Sequence, residues 1–167
     1  MYKFLLSLIC IFSIFQTNAQ QRALYLGLTG EVQMEAPSYP GFIGVQAKYD
    51  FTWQHNVQAT FGLNSDNSSY IGADYLFNFL EFGDRFNLYA GAGLGLEFYR
   101  KTFDTEMPNV TVKVEDTFQQ ANVQFGVNAD IWKGLSMYLG YKTRYYIDHD
   151  SLDPNYVSVG IRCKLWN

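Results

Sequence analysis

Three groups of residues in this chain have types and spacings that could do chemistry. The first is the glycine series Gly91, Gly93 and Gly95 in "YAGAGLGLEF", residues 89 to 98. A dinucleotide fingerprint needs G-x-G-x-x-G at a strand-to-helix junction. Here the position for its third glycine is Leu96, and Glu97 to Lys101 show no helical period. No Gly-Lys-Ser/Thr follows, so a phosphate-binding loop is excluded as well. The second group is "DHDSLDPN", where His149 has Asp148, Asp150 and Ser151 beside it. Geometry, not adjacency in sequence, makes a nucleophile–base–acid relay. Asp148, Asp150 and Asp153 could attract Ca²⁺, but their spacing is not that of an EF-hand loop. The other histidine, His55, falls in a short turn. No catalytic residue, cofactor or metal site is expected from either group. The third group is a set of charged residues spread along the chain at alternating positions, and its meaning depends on the elements that carry it.

The chain opens "MYKFLLSLICIFSIFQTNAQ". Lys3 is a short basic region, Phe4 to Phe15 an apolar core, and Thr17-Asn18-Ala19 a small-residue cleavage site, the pattern of a secretory signal peptide. Residues 1–19 are read as that peptide and residues 20–167 as one domain. No later run approaches the ~20 apolar residues of a spanning helix. Cys10 lies in the leader, so Cys163 has no intrachain partner. Without Lys3, 11 basic residues face 16 acidic ones, a net charge of −5; nucleic acid, which wants a basic face, is not an expected partner. Aromatics reach 18% and proline numbers four. Such a chain, rich in Tyr, Phe, Val and Gly, reads as all-β.

Apolar and polar residues alternate with the two-residue period of half-buried strands over 22–33, 42–51, 56–64, 70–79, 85–99, 118–131, 135–147 and 156–166. Connections 52–55, 80–84 and 132–134 are short; 34–41, 65–69, 100–117 and 148–155 are polar and mostly longer. Most segments approach the ~9–11 residues of a tilted transmembrane strand, and short turns alternating with longer loops mark outer-membrane barrels. The fold expected is an eight-stranded antiparallel up-and-down transmembrane β-barrel, with both termini on the periplasmic side.

One face of these segments carries no charge: Leu24, Leu26, Ile43, Val45, Leu94, Phe125 and their like. The other carries Glu31, Lys48, Asp50, Asp74, Glu97, Asp130, Lys142, Arg144, Arg162 and Lys164, together with ten glycines. Alternation alone does not say which face points inward, and the glycines decide. An eight-stranded barrel is just wide enough for its side chains to fill. Glycine weakens a strand unless something must approach closely, and a water-facing exterior gives no such reason. The charged, glycine-rich face is therefore the lumen, and its ten charges are expected to form an ion-pair and hydrogen-bond network, since an isolated buried charge is costly.

Trp and Tyr favour membrane–water interfaces. Trp53, Trp132 and Trp166, with Phe79, Phe82 and Phe86, are expected to form a periplasmic girdle. Tyr39, Tyr70, Tyr99, Tyr145, Tyr146 and Tyr156 lie toward the opposite rim. In "VTVKV" the parity of Val110, Val112 and Val114 opposes that of Ala121 and Val123, which predicts a β-bulge near Gln119-Gln120.

The eight segments, the strand "LYAGAGLGLEF" and the closing "YVSVGIRCKLW" resemble the small OmpA/OmpX-type outer-membrane β-barrel domain family of Gram-negative bacteria, and the leader's "NAQ" resembles that of Bacteroidetes secreted proteins. The resemblance covers the whole mature chain. It implies insertion by the barrel-assembly machinery, which reads a terminal aromatic (here Trp166, followed by Asn167), and a monomer among outer-membrane lipid and lipopolysaccharide. The function expected is non-enzymatic, structural or in surface interaction, with a plugged lumen. Loop 100–117 would contact an extracellular partner by adding a strand to a partner edge. Alternatives are OmpW-like binding or passage of a small ligand or ions, a lipid-modifying enzyme using His149, and a soluble lipocalin-like carrier with Leu94 and Phe125 lining a cavity.

Overall fold

A strand that alternates lipid-facing and polar residues must give every backbone N–H and C=O to a neighbour, which an open sheet cannot do at its edges. In the computed structural model, which describes residues 22–34, 41–64, 68–83, 85–104 and 111–166, the chain meets that demand by closure. The strands are β1 (Ala23–Gln33), β2 (Gly41–Asp50), β3 (His55–Asn64), β4 (Ser68–Phe82), β5 (Phe86–Asp104), β6 (Thr111–Trp132), β7 (Leu135–Tyr146) and β8 (Ser151–Trp166). Each pairs with the next, and β8 returns antiparallel to β1. The fold is the closed eight-stranded antiparallel barrel that the alternation implies. The proposed leader, residues 1–19, lies outside the described residues, as do Tyr39 and residues 105–110.

The polarity is inverted relative to a water-soluble domain. Ile43 is 78% exposed, Leu94 65% and Phe125 61%, whereas Lys142 and Arg144 are fully buried. A barrel in water would spend apolar surface this way at a loss of roughly 25 cal/mol per Å²; a barrel in hydrocarbon loses nothing. This exposure also removes the lipocalin-like arrangement, since Leu94 and Phe125 line no interior cavity.

The glycines of "YAGAGLGLEF" make room for rings. A Cβ on Gly95 would collide with the Tyr70 ring, 2.9 Å from its Cζ, and one on Gly72 would strike the same tyrosine's hydroxyl. Tyr70 thus lies across bare backbone on β4 and β5, which lets a large side chain fit in so narrow a lumen.

Three expectations need correction. The β5–β6 register runs unbroken from Phe86↔Ala129 to Asp104↔Thr111, so there is no bulge at Gln119-Gln120. The strands instead outrun the rim. β4 pairs with β5 only as far as Ser68↔Tyr99 and β7 with β6 only to Gln120↔Tyr146, so the described parts of β5 and β6 beyond those pairs have only each other as strand neighbours among the described residues. Residues 114–117 of β6 are all exposed whatever their parity, so the valine pattern fixes no register there. Irregularities fall elsewhere: one extra residue on β8 near Leu24/Tyr25, on β4 near Asn78/Leu80, on β6 near Asp130/Trp132, and on β8 opposite Lys142/Arg144. Finally, Tyr70 and Tyr156 are not rim anchors: their parity turns both into the lumen, where they are buried.

Candidate functional site

The lumen is built from alternate residues of all eight strands. Near the loop end, Lys142 and Arg144 share one face of β7. The neighbouring β8 carries an extra residue there, between Asp153 and Tyr156. Pro154, with no N–H to donate, and Asn155, at φ +77°, take up that bulge, in keeping with the placing of proline at irregularities and the tolerance of asparagine for positive φ. The two cations reach across the barrel. Arg144 pairs with Glu31 of β1; Lys142 Nζ lies 3.3 Å from Glu31 Oε1 and 3.4 Å from Asp74 Oδ2 of β4. Asn122 of β6 donates to Asp74 Oδ1 at 2.9 Å. The Arg144 guanidinium is also faced by the rings of Tyr156, Tyr70 and Phe42, with Cζ 4.2, 4.7 and 5.0 Å from their centroids. Six strands thus converge on two cations and two carboxylates, a balanced set in which each charge has an opposite partner.

Below this set sits a septum of Leu76, Tyr89 and Tyr138, all buried. Toward the turn end, Arg162 of β8 lies with Cζ 4.0 Å above the Tyr138 ring. Its guanidinium donates to Asn128 Oδ1 (3.0 Å), Gln46 Oε1 (3.2 Å) and Gln58 Oε1 (2.5 Å). No carboxylate among the described residues forms an ion pair with it. Lys48 pairs with Asp50 on its own strand at 2.9 Å.

The ten charges of the expected network therefore divide. Six form ion pairs: Glu31, Asp74, Lys142 and Arg144 as one set, Lys48 and Asp50 as another. Glu97 accepts from Gln120 Nε2 (3.3 Å) and the Tyr146 hydroxyl (2.9 Å), so amide and phenol take the place of a cation. Arg162 is held by amides. Asp130 and Lys164 stand exposed at the turn end, beyond the strands that could wall them in, and make no ion pair among the described residues. Sequence reasoning missed Gln46, Gln58, Asn122 and Asn128, which complete the polar interior. Their signal was parity: each shares the lumen face with the charges.

Trp53, Phe79, Phe82, Phe86, Trp132 and Trp166 are all exposed and lie at the turn end of the barrel. At the loop end, the step between the short β3–β4 hairpin and the overhanging β5–β6 hairpin leaves a groove of about 730 Å³, lined in part by Leu63, Ser69, Phe98, Arg100 and Glu115.

The second sequence group proves to be rim structure. Asp148 accepts from the Gln119 backbone N–H at 2.7 Å, Asp150 from the Tyr145 hydroxyl at 2.5 Å, and Asp153 from Gln33 and Tyr156 at 2.7 and 2.6 Å. His149 stacks against Phe118, centroids 5.1 Å apart, and takes part in no Ser–His–acid relay among the described residues. No group of three or more His, Cys, Asp or Glu among those residues could hold a metal ion.

Comparison with known proteins bears on the whole chain. The model of the family described as "Outer membrane protein beta-barrel domain" matches residues 11–164. The fold is similar to the N-terminal β-barrel domain of Pseudomonas aeruginosa OprF, at 13% identity and a TM-score of 0.70, over 87% of this chain and 100% of that one. It is similar to outer membrane protein H (OprH) of P. aeruginosa, at 16% identity and 0.62, over 86% and 99%. It is also similar to Neisserial surface protein A, at 17% and 0.58, over 85% and 97%. At these identities the likeness carries the fold alone. Among curated proteins, no sequence matches the chain.

Proposed function

The chain belongs to the outer membrane protein beta-barrel domain family, and from that premise we propose that it is a non-enzymatic surface barrel whose lumen is plugged and whose loop end faces outward. Family membership implies the outer membrane as its location. On this reading residues 1–19 are the export signal, removed on the way. The barrel sits as a monomer among outer-membrane lipid and lipopolysaccharide after insertion by the barrel-assembly machinery, and the short turns lie in the periplasm. The single observation that carries the reading is the burial of Arg144 and Lys142 between Glu31 and Asp74 inside a wall of exposed Leu, Ile and Phe. Charges cross a bilayer in that arrangement only inside a wall that keeps lipid off them.

The plug is the charged set together with the septum of Leu76, Tyr89 and Tyr138. That septum counts against passage of ions or of a small ligand: a path would have to displace three fully packed side chains. The contact site is the β5–β6 hairpin. Beyond Tyr99 on β5 and Gln119 on β6 its outer edges have no strand beside them among the described residues, which leaves backbone groups for an extended partner segment to pair with.

The test is fractionation of expressing cells, with gel electrophoresis before and after boiling and protease treatment of intact cells. A heat-shifted band in the outer-membrane fraction, cut only within 100–117, is the expected result. A soluble, unshifted band would end the proposal. Single-channel recording in planar bilayers should give no steady conductance; a persistent open level would replace the plug with a pore.

A further inference from the structure

Among the described residues every cation inside the barrel has a polar partner, whereas three exposed cations around one pocket at the turn end have none. Arg85 opens β5, Lys133 sits in the two-residue turn between β6 and β7, and Lys164 lies near the end of β8. Two backbone hydrogen bonds tie these segments together: Asp130 N–H donates to Arg85 O, and Lys164 N–H to Gly134 O, both at 2.7 Å. Gly134 adopts φ +82°, and a Cβ there would touch Lys164 Cβ at 3.6 Å, so the β6–β7 turn packs directly on the stem of that lysine. The result is a pocket of about 280 Å³ lined by Tyr25, Arg85, Trp132, Lys133 and Lys164, with Asp130 the one carboxylate among its described lining residues. None of the three cations has a carboxylate within ion-pair distance among the described residues.

We infer that this pocket binds the phosphate headgroup of an anionic phospholipid in the inner leaflet of the membrane. Three cations against one carboxylate leave a net charge of about +2 on a chain that is acidic as a whole, so the pocket is the anion-seeking part of an anion-repelling protein. Arg offers a fork of N–H donors that matches phosphate oxygens, and Lys a mobile point charge. The location selects a lipid over a free anion. Trp132 is 77% exposed beside the pocket, with Ile131 next to it and the apolar wall above, so acyl chains can lie on the barrel while the headgroup sits among the cations. An indole at that level is itself an interfacial anchor. The inference rests on the proposal that the turn end faces the periplasm.

The experiment is native mass spectrometry of the full barrel released from nanodiscs of phosphatidylcholine mixed with phosphatidylglycerol, alongside the Arg85→Gln/Lys133→Gln/Lys164→Gln variant. All three side chains are exposed, and boiling-shift gels check that the variant folds. Each Lys or Arg near an anionic lipid surface is worth roughly fivefold in affinity. Retention of phosphatidylglycerol should therefore fall about fivefold for one substitution, and on the order of a hundredfold for three. Arg100→Gln at the opposite end should retain the lipid as the parent does. Equal retention by parent and triple variant overturns the site. So does displacement of the lipid by equimolar inorganic phosphate, which would mean that a free anion suffices. Failure of the underlying reading looks different: a protein that is no membrane barrel gives no heat shift and carries no lipid of either kind.

Discussion

Two guanidinium groups, on neighbouring strands and both fully enclosed, are neutralised in different ways. Arg144 on β7 answers to a carboxylate, Glu31, and shares it with Lys142, which also holds Asp74. Arg162 on β8 has three amide oxygens, from Gln46, Gln58 and Asn128. Each lies on a tyrosine ring, Arg144 on Tyr156 and Tyr70, Arg162 on Tyr138. The first is an ion-paired lattice, in which losing one member strands a charge. The second is a charge solvated by dipoles, each bearing a part of the load. Across the whole interior, Lys48, Lys142, Arg144 and Arg162 face Glu31, Asp50, Asp74 and Glu97, four charges of each sign, and among the described residues Arg162 and Glu97 are the two held by uncharged groups rather than by an ion pair. A lumen can thus be closed by charge pairing at one level and by amide solvation at another, with an apolar septum between them.

The largest expected effect tests the paired end. Glu31→Gln leaves Arg144 without its carboxylate and Lys142 with one of two. Breaking a buried pair by removing one partner costs about 3–5 kcal/mol, so urea unfolding in detergent micelles should show a loss of that order. Adding Arg144→Met to the same chain should recover most of it, because Lys142 and Asp74 then balance alone. A double variant no more stable than the single one would mean that Glu31 acts through something other than charge.

Next in size come the glycines beneath the rings. The three atoms nearest a Cβ on Gly95 all belong to the Tyr70 side chain, which gives way more readily than backbone. One on Gly160 meets the Tyr138 ring, the Gln46 amide nitrogen and the Leu28 carbonyl oxygen, and the last is fixed backbone. Overpacking costs about 1–3 kcal/mol. Gly95→Ala should fall at the low end of that range and Gly160→Ala at the high end; the same unfolding curves rank them, and a reversed order would show the wall to be softer at the septum than at the loop end.

The alternation made the strands and their faces legible, since lipid outside and a narrow lumen inside leave each residue one side to take. The glycine face pointed inward for the same reason, and Tyr70 over Gly72 and Gly95 is its physical content. What alternation does not carry is partnership. Parity puts Arg162 and Glu97 in the lumen but is silent on whether a carboxylate, an amide or a phenol meets them, because that depends on registers across strands distant in sequence, such as β3 and β8. Nor does it carry the reach of β5 and β6. At Val114 to Thr117 exposure no longer follows parity, so Val114 and Ala121 can differ in parity with no bulge between them. Tyr156 was read as a rim residue from its position in sequence alone, although its parity opposed that of Val157 and Val159 on the lipid face.

A smaller effect sharpens the contrast between the two guanidinium sites. Gln58 Oε1 accepts from Arg162 Nη2 at 2.5 Å, so Gln58→Glu places a carboxylate where an amide now stands and gives Arg162 an opposite charge of its own. The ion-paired end would then have a counterpart at the turn end. A charge-assisted hydrogen bond is roughly twice as strong as a neutral one, but the new carboxylate loses its hydration on burial. The net gain should be modest, below about 1 kcal/mol, with no change in heat-shift behaviour. The exposed pair Arg100–Glu115, at 2.8 Å on the free hairpin, is the control. There Arg100→Gln should change stability by less than about 1 kcal/mol, because water and salt already screen that pair. If Gln58→Glu destabilises the barrel while Arg100→Gln leaves it unchanged, amides are the better solvent for Arg162, and its amide-held charge is a built feature of the lumen rather than an unfilled pairing.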